Sequence, residues 1–166
     1  MKKILTLTLF LAVISAVAGG ALAAVNSVTA PIITENALKE VKASLQEIFP
    51  NGNFEEVSVK GSCDYITNIY EAKGNGVVYK VTVQGFKDKL IYLIAIDESN
   101  NFAGYKVTQN QDTQGFGTRV SDAEFYEPFV GQSIDNQVDT LSGATVSSSA
   151  VVKGIQEVVE YHKANY

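Results

Sequence analysis

The segment Asp139-Thr140-Leu141-Ser142-Gly143-Ala144-Thr145 lies near the carboxyl end of a 166-residue chain. The apolar residues that follow it recur at helical spacing: Val151, Val152, Ile155, Val158 and Val159. This spacing predicts a helix that begins within residues 145–149. Backbone N–H groups at a helix start have no intrahelical partner, and the small residues before it leave room for a bulky anion. The segment therefore predicts a phosphate site, with a plain turn and an N-cap at Thr145 or Ser147 as the alternative.

A second glycine-containing loop, Asp112-Thr113-Gln114-Gly115-Phe116-Gly117, follows the last predicted strand. It is not a dinucleotide-binding fingerprint, because Val120 stands where the third glycine belongs and no strand–loop–helix unit surrounds it. A plain glycine turn is the alternative. The capping-box sequence Ser121-Asp122-Ala123-Glu124 predicts a short helix after this loop, extending to about Phe129.

The chain before these two segments predicts a helix over residues 36–48 and then a series of short strands. Glycine-, asparagine- and aspartate-rich turns separate the strands, which are Glu56–Val59, Tyr65–Glu71, Val77–Gly85, Lys89–Ile96 and Phe102–Val107. Consecutive strands joined by short turns form antiparallel meanders. With helices on both sides of the strands in the sequence, the predicted class is α+β.

Composition excludes several kinds of function. The net charge is −5 and the chain has no basic stripe, so nucleic acid is not an expected partner. Cys63 and His162 are the only residues of their kinds, so we expect no metal site and any redox centre to be organic. Cys63 is predicted to be a small apolar residue, and His162 an imidazolium at a helix C-terminus. No nucleophile or acid–base set is in view, so no catalytic residue is predicted.

The amino-terminal segment predicts a membrane anchor. Lys2 and Lys3 precede an uncharged run over residues 4–25, which is long enough to cross a bilayer as a helix. The two lysines place the amino terminus in the cytoplasm. We expect residues 1–28 to be the anchor and residues 29–166 an extracytoplasmic domain. A signal peptide cleaved after Ala21-Leu22-Ala23 is the alternative.

The string Asp-x-x-Ser-Gly-Ala-Thr at 139–145 resembles the signature of the FMN-binding domain family. Its members include the G subunits of Rnf-type ion-translocating oxidoreductases and the C subunits of sodium-pumping NADH:quinone oxidoreductases. The 112–117 loop is similar to the family's second motif, commonly Glu-Thr-Pro-Gly-Leu-Gly, from which Gln114 and Phe116 depart. Residues 26–33 resemble the juxtamembrane segment of the Rnf G subunit.

The resemblance implies a cofactor and its contacts. In this family a flavin transferase joins FMN through its phosphate to the threonine, which here is Thr145, so the expected link is a phosphothreonine ester. The matching positions of the recognition string are Asp139, Ser142, Gly143 and Ala144. The residues expected to contact the flavin are Thr113, Gly115, Phe116 and Gly117. For Arg119, the only arginine, a surface ion pair is expected, with a role beside the flavin ring as the alternative.

The resemblance also implies a role. We expect an electron-relay subunit, and not an autonomous catalyst, in a membrane complex of the Rnf type. The chain would cross a bacterial cell membrane once and work with the other membrane subunits of that complex. One alternative is a stand-alone extracytoplasmic flavoprotein that serves a separate reductase. The other is a flavin-free anchored binding domain in which the threonine only caps a helix.

Overall fold

The structure is a computed structural model that describes the backbone of residues 2–166 and all their side chains except those of residues 2, 5 and 30–40. The chain divides into two compact units, Met1–Val41 and Lys42–Tyr166. The elements in chain order are helix α1 (Lys2–Ile48), strands β1 (Phe54–Val57), β2 (Ile66–Ala72), β3 (Gly76–Gln84), β4 (Lys89–Asp97) and β5 (Phe102–Asn110), a 3₁₀ helix (Gly117–Ser121), α2 (Ala123–Tyr126) and α3 (Thr145–Asn165).

The first unit consists of the greater part of α1. Its segment Thr6–Thr29 has 24 residues and a mean hydropathy of 2.2, and none of its most apolar stretch is buried. Long apolar side chains along it are exposed, which suits contact with lipid. Among the described residues this is the one candidate membrane span. The helix predicted over residues 36–48 is the end of α1 and not a separate element.

The second unit is built on a five-stranded sheet. The strand order is β1-β2-β3-β4-β5 and every neighbouring pair is antiparallel, so the predicted meander and the α+β class are confirmed. The central pair is regular from Gly76 opposite Asp97 to Gln84 opposite Lys89. Because this register ends at Gln84 and Lys89, residues 85–88 form the turn between β3 and β4.

Helix α3 packs across the sheet and forms the core with it. Val151, Ile155 and Val158 are fully buried, as the predicted stripe requires, and burying each such side chain is worth about 1.5–3 kcal/mol. Gly154 lets the helix approach closely, because a Cβ there would collide with the Tyr92 hydroxyl. That hydroxyl donates a hydrogen bond to the Val151 carbonyl at 2.9 Å. The position of α3 on the sheet is therefore tightly determined.

Glu157 joins α3 to the chain that enters β2. Its Oε1 accepts hydrogen bonds from the amides of Tyr65 at 2.9 Å and Ile66 at 3.1 Å, and its Oε2 accepts one from the amide of Asp64 at 3.0 Å. Three backbone donors on one carboxylate satisfy groups that the sheet leaves unpaired. This contact holds the middle of α3 in place.

The carboxyl end of α3 differs from expectation at His162. The imidazole is buried, its Nδ1 lies 2.7 Å from the Tyr79 hydroxyl, and the Tyr166 ring stacks on it with centroids 5.2 Å apart. Burial lowers the pKa of His162 below its usual value, because the charged form loses its hydration. The prediction of an imidazolium at the helix end is therefore wrong.

The short helix after the glycine loop also differs from expectation. Ser121 is the last residue of the 3₁₀ helix, and α2 comprises only residues 123–126. Asp122 occupies the N-cap position and its side chain makes no capping hydrogen bond. The helix exists, but the predicted capping box does not form, because the 3₁₀ turn already includes Ser121.

Candidate functional site

A cleft of about 350 Å³ opens where the β3–β4 turn, the 112–117 loop and the start of α3 meet. This volume lies at the small end of the range for small-molecule sites. The residues that line the cleft are Phe86, Thr113, Phe116, Gly117, Gly143, Ala144, Thr145, Val146 and Ser147. The structure thus brings the two glycine-containing motifs together, although about thirty residues separate them in the sequence.

The start of α3 is an uncapped helix end in this cleft. The helix begins at Thr145 with Ala144 at the N-cap position, and among the described residues no side chain caps it. Neither Thr145 nor Ser147 caps the helix, so the alternative interpretation of the segment is wrong on this point. The amides of the first turn are left without intrahelical partners, in the arrangement that binds phosphate in many proteins. Thr145 is exposed at this end.

Ser148 fixes the turn that leads into α3. Its hydroxyl donates to the Ala144 carbonyl at 3.0 Å and accepts from the Leu141 amide at 3.0 Å. Gly143 has a φ of +81°, a conformation that glycine adopts at low cost. These contacts fold the segment 141–144 back onto the first turn of α3. The edge of the cleft next to Thr145 is therefore formed by the small residues Gly143 and Ala144.

Asp112 is buried behind the cleft and accepts four hydrogen bonds. Its Oδ1 accepts from the amides of Lys87 at 2.9 Å and Thr113 at 3.0 Å. Its Oδ2 accepts from the Phe86 amide at 3.0 Å and from the Ser147 hydroxyl at 2.5 Å. Each segment that lines the cleft supplies at least one of these donors.

The ionisation of Asp112 follows from these contacts. Burial by itself would raise the pKa of the carboxyl group, but the hydrogen bonds from Ser147 and from the amides of Phe86, Lys87 and Thr113 outweigh it. The pKa of Asp112 is therefore below its usual value. The side chain is an anion at neutral pH and acts as an acceptor for all four donors.

Two phenylalanine side chains stand exposed at the cleft. Phe86 is 70% exposed and Phe116 is 61% exposed, and Val146 beside them is 58% exposed. Among the described side chains of residues 42–166, Tyr166 is the one other large apolar side chain of which more than half is exposed. Such clustering of apolar surface marks a binding site. Aromatic rings placed in this way can pack on a flat, largely apolar ligand.

Phe86 is the residue that sequence reasoning missed. It follows the predicted strand Val77–Gly85, in a turn for which the sequence predicts only a connection between strands. The available signal was a large aromatic residue in a tight turn, where polar residues and glycine are usual.

Arg119 connects the 3₁₀ helix to the segment before α3. Its guanidinium donates to the Ser142 carbonyl at 2.8 Å and pairs with the Glu124 carboxylate at 2.8 Å. The expected ion pair is confirmed. Because the same side chain also holds the Ser142 carbonyl, it restrains the rim of the cleft near Gly143.

Three of the predicted site residues do not line the cleft. Asp139 is exposed, and Ser142 contributes its carbonyl to Arg119. Gly115 has a φ of +76°, and its amide donates to the Thr118 hydroxyl at 2.9 Å. Their roles at a flavin stay predictions.

Comparison with known proteins agrees with this arrangement. The FMN-binding domain matches residues 85–160, a range that contains every residue lining the cleft, and the RnfG N-terminal region matches residues 1–48. The part of the chain that forms the cleft is thus similar to the FMN-binding domain family.

Over nearly its whole length the chain is also similar to the G subunits of ion-translocating complexes. It is 26% identical to the G subunit of the Na⁺-translocating ferredoxin:NAD⁺ oxidoreductase complex of Acetobacterium woodii, over 98% of this chain and 93% of the relative. It is 29% identical to the G subunit of an ion-translocating oxidoreductase complex of Methanosarcina acetivorans, over 98% and 96%. It is 22% identical to the G subunit of the proton-translocating ferredoxin:NAD⁺ oxidoreductase complex of Clostridium ljungdahlii, over 96% and 89%.

Proposed function

We propose that this protein is the electron-carrying G-type subunit of an Rnf-like membrane complex, with FMN bound covalently through its phosphate to Thr145. The observation that carries the proposal is the position of Thr145. Its side chain is exposed at the uncapped start of α3, inside a cleft that also exposes two phenylalanine rings. The cleft lies within the part of the chain that matches the FMN-binding domain.

The residues present fit a flavin nucleotide. The unpaired amides at the start of α3 suit the phosphate, and Gly143 and Ala144 leave it space. Phe86 and Phe116 offer apolar faces to the ring system and exclude water from it. FMN would supply the one- and two-electron redox chemistry, for which the protein itself has no other group in view.

The ester requires an activated flavin donor and a separate enzyme. In such a transfer the Thr145 oxygen would bond to the phosphorus of the flavin phosphate, the pyrophosphate bond of a flavin dinucleotide would break, and a nucleoside monophosphate would leave. The transferase would accept the hydroxyl proton, since the described residues that line the cleft include no carboxylate, imidazole or amine. Thr145 is therefore an acceptor for a flavin transferase, and this chain is not the catalyst of its own modification.

The anchor and the partners complete the proposal. The apolar part of α1 crosses the membrane once, and Lys2 and Lys3 keep its amino terminus in the cytoplasm. We place residues 1–28 in the anchor and residues 29–166 on the extracytoplasmic side, where a covalent link prevents loss of the cofactor by dilution. The other membrane subunits of the complex are the expected electron-transfer partners, because the similar proteins are named as subunits of such complexes.

The test is flavin attachment to the full chain coexpressed with a flavin transferase. We expect wild type to gain the mass of one FMN less one water and to fluoresce in a denaturing gel, while Thr145→Ala does neither. Thr140→Ala is the matched control, since it removes an exposed threonine from the same segment. Unmodified wild type, beside a control substrate that the transferase labels, would overturn the proposal. Copurification with other membrane subunits from the native host tests the complex, and recovery of the flavoprotein alone would favour a stand-alone carrier.

A further inference from the structure

We infer that Asp112 is the positioning residue that assembles the flavin cleft, because its carboxylate joins the three segments of the chain that line this cleft. The inference rests on the proposed function and gives a role to Asp112, the acidic residue at the start of the 112–117 loop. Asp112 does not line the cleft itself, so its effect on a flavin passes through the residues that it holds.

Each of the three segments that line the cleft donates hydrogen bonds to the Asp112 carboxylate. The β3–β4 turn is held through the amides of Phe86 and Lys87, the glycine loop through the amide of Thr113, and α3 through the hydroxyl of Ser147. Ser147 is two residues after Thr145 in the first turn of the helix. The exposed Phe86 ring and the Thr145 hydroxyl are thus placed relative to each other through a single carboxylate.

Two glycines make the space in which this carboxylate lies. A Cβ at Gly85 would stand 2.6 Å from the Asp112 Oδ2, and a Cβ at Gly117 would stand 2.5 Å from the Asp112 Cγ. Real Cβ atoms do not approach other atoms so closely, so the β3–β4 turn and the glycine loop close on Asp112 only because both positions are glycine. Gly117 thereby serves the carboxylate as well as the cleft.

The chain provides a matched carboxylate away from the cleft. Glu157 also accepts three backbone amides, but it holds the chain that enters β2. It lies twelve residues after Thr145 on the same helix, which places it about 18 Å further along the axis. Glu157→Gln therefore reproduces the loss of a charged acceptor for backbone amides without touching the cleft.

The test compares Asp112→Asn with Glu157→Gln in the full chain. Asparagine keeps the shape of aspartate but replaces one oxygen with an NH₂ group, so in either orientation at least one of the three amides loses its acceptor. Ser147→Ala is the milder variant, because it removes a single bond and leaves the three amide bonds in place. Thermal unfolding and labelling by the flavin transferase are measured on wild type and on the three variants.

We expect Asp112→Asn to lower kcat/KM for flavin transfer at least tenfold and Ser147→Ala to lower it to a smaller extent, whereas Glu157→Gln lowers thermal stability and labels at the wild-type rate. In the labelled fraction of Asp112→Asn we expect a changed flavin absorption spectrum and a midpoint potential shifted by about 30 mV or more, a tenfold change in a two-electron equilibrium. A merely structural carboxylate would not produce this difference between the two variants.

The outcomes separate the two claims. If wild type takes no flavin, the proposed function fails and this inference fails with it. If wild type is labelled but Asp112→Asn and Ser147→Ala label at its rate with an unchanged flavin spectrum, only the inference about Asp112 is overturned. The same holds if Glu157→Gln loses as much labelling as Asp112→Asn. If Asp112→Asn does not fold, the comparison of Ser147→Ala with wild type decides between these outcomes.

Discussion

Replacing Gly154 by alanine is expected to destabilise the protein, although the same change in an exposed helix is stabilising. Alanine has a higher helix propensity than glycine by about 1 kcal/mol. At this position, however, the new methyl group would collide with the Tyr92 hydroxyl and stand 2.9 Å from Val81 Cγ1 and 3.0 Å from Val83 Cγ1. These atoms belong to fully or almost fully buried side chains of the sheet, so they have little room to move.

The size of the effect follows from two costs. Overpacking a well-packed core costs about 1–3 kcal/mol. Displacing the Tyr92 hydroxyl from the Val151 carbonyl leaves a buried polar group without its partner, which costs about 1–3 kcal/mol more. After subtracting the gain in propensity, we expect a net loss of about 1–5 kcal/mol, which lowers the melting temperature by about 3 °C or more in a unit of this size.

The assay is the loss of the near-ultraviolet circular dichroism of tyrosine during thermal unfolding of the full chain in detergent. All eight tyrosines lie between residues 65 and 166 and the chain has no tryptophan, so the signal reports on the second unit alone. A double-mutant cycle with Tyr92→Phe isolates the collision, because phenylalanine lacks the hydroxyl. We expect the double variant to be more stable than the sum of the single changes by about 1 kcal/mol. A Gly154→Ala variant that is more stable than wild type, or an additive cycle, would refute the account of how α3 sits on the sheet.

Three further predictions concern pH, the cleft rim and topology. Burial lowers the pKa of His162 in the folded protein, so as the pH falls the unfolded chain takes up the imidazole proton before the folded one does. The free energy of unfolding should therefore decrease as the pH is lowered from about 6.5 to the pKa of the folded protein. Urea unfolding at a series of pH values should show this decrease for wild type and not for His162→Gln, and the same decrease in both proteins contradicts the assignment. The planar guanidinium of Arg119 contacts the Ser142 carbonyl and the Glu124 carboxylate together, which the single ammonium group of a lysine cannot do. In Arg119→Lys we therefore expect faster amide hydrogen exchange at residues 140–144, and unchanged exchange would show that this segment does not depend on Arg119. With Cys63 replaced by serine, Ser99→Cys in an exposed turn should react with an impermeant thiol reagent on intact cells, whereas reaction only after lysis would place the domain in the cytoplasm.

Elements with a regular local pattern could be predicted from the sequence. The stripe of valines and Ile155 predicted α3 with its buried face, and the spacing of turn residues predicted five strands in antiparallel order. These predictions hold because side-chain periodicity and turn chemistry act within a few residues of the chain. The apolar run after Lys3 predicted the candidate membrane span for the same reason.

The candidate site could be predicted only in part. Small residues before a predicted helix carry a local signal, and they identified Gly143, Ala144 and Thr145. The lining residues of the 112–117 loop were identified only through the resemblance to the FMN-binding domain family. The roles of Phe86 and Asp112 were not, because each depends on which turns meet across the fold. Asp112 contacts residues 25, 26 and 35 positions away, and no local pattern encodes those distances.

The sequence by itself determined the elements, their order and the two motifs, because those follow from local backbone preferences and from the alternation of apolar and polar residues. Only the tertiary structure decided that Ala144 and not Thr145 precedes the first turn of α3, that His162 is buried and its pKa lowered, and that one carboxylate accepts hydrogen bonds from every segment that lines the cleft. The burial of His162 against Tyr79 and the contacts of Asp112 each join residues that are far apart in the sequence. Burial and hydrogen bonding at such positions are set by distant parts of the chain, which meet only when the sheet and the helix have packed.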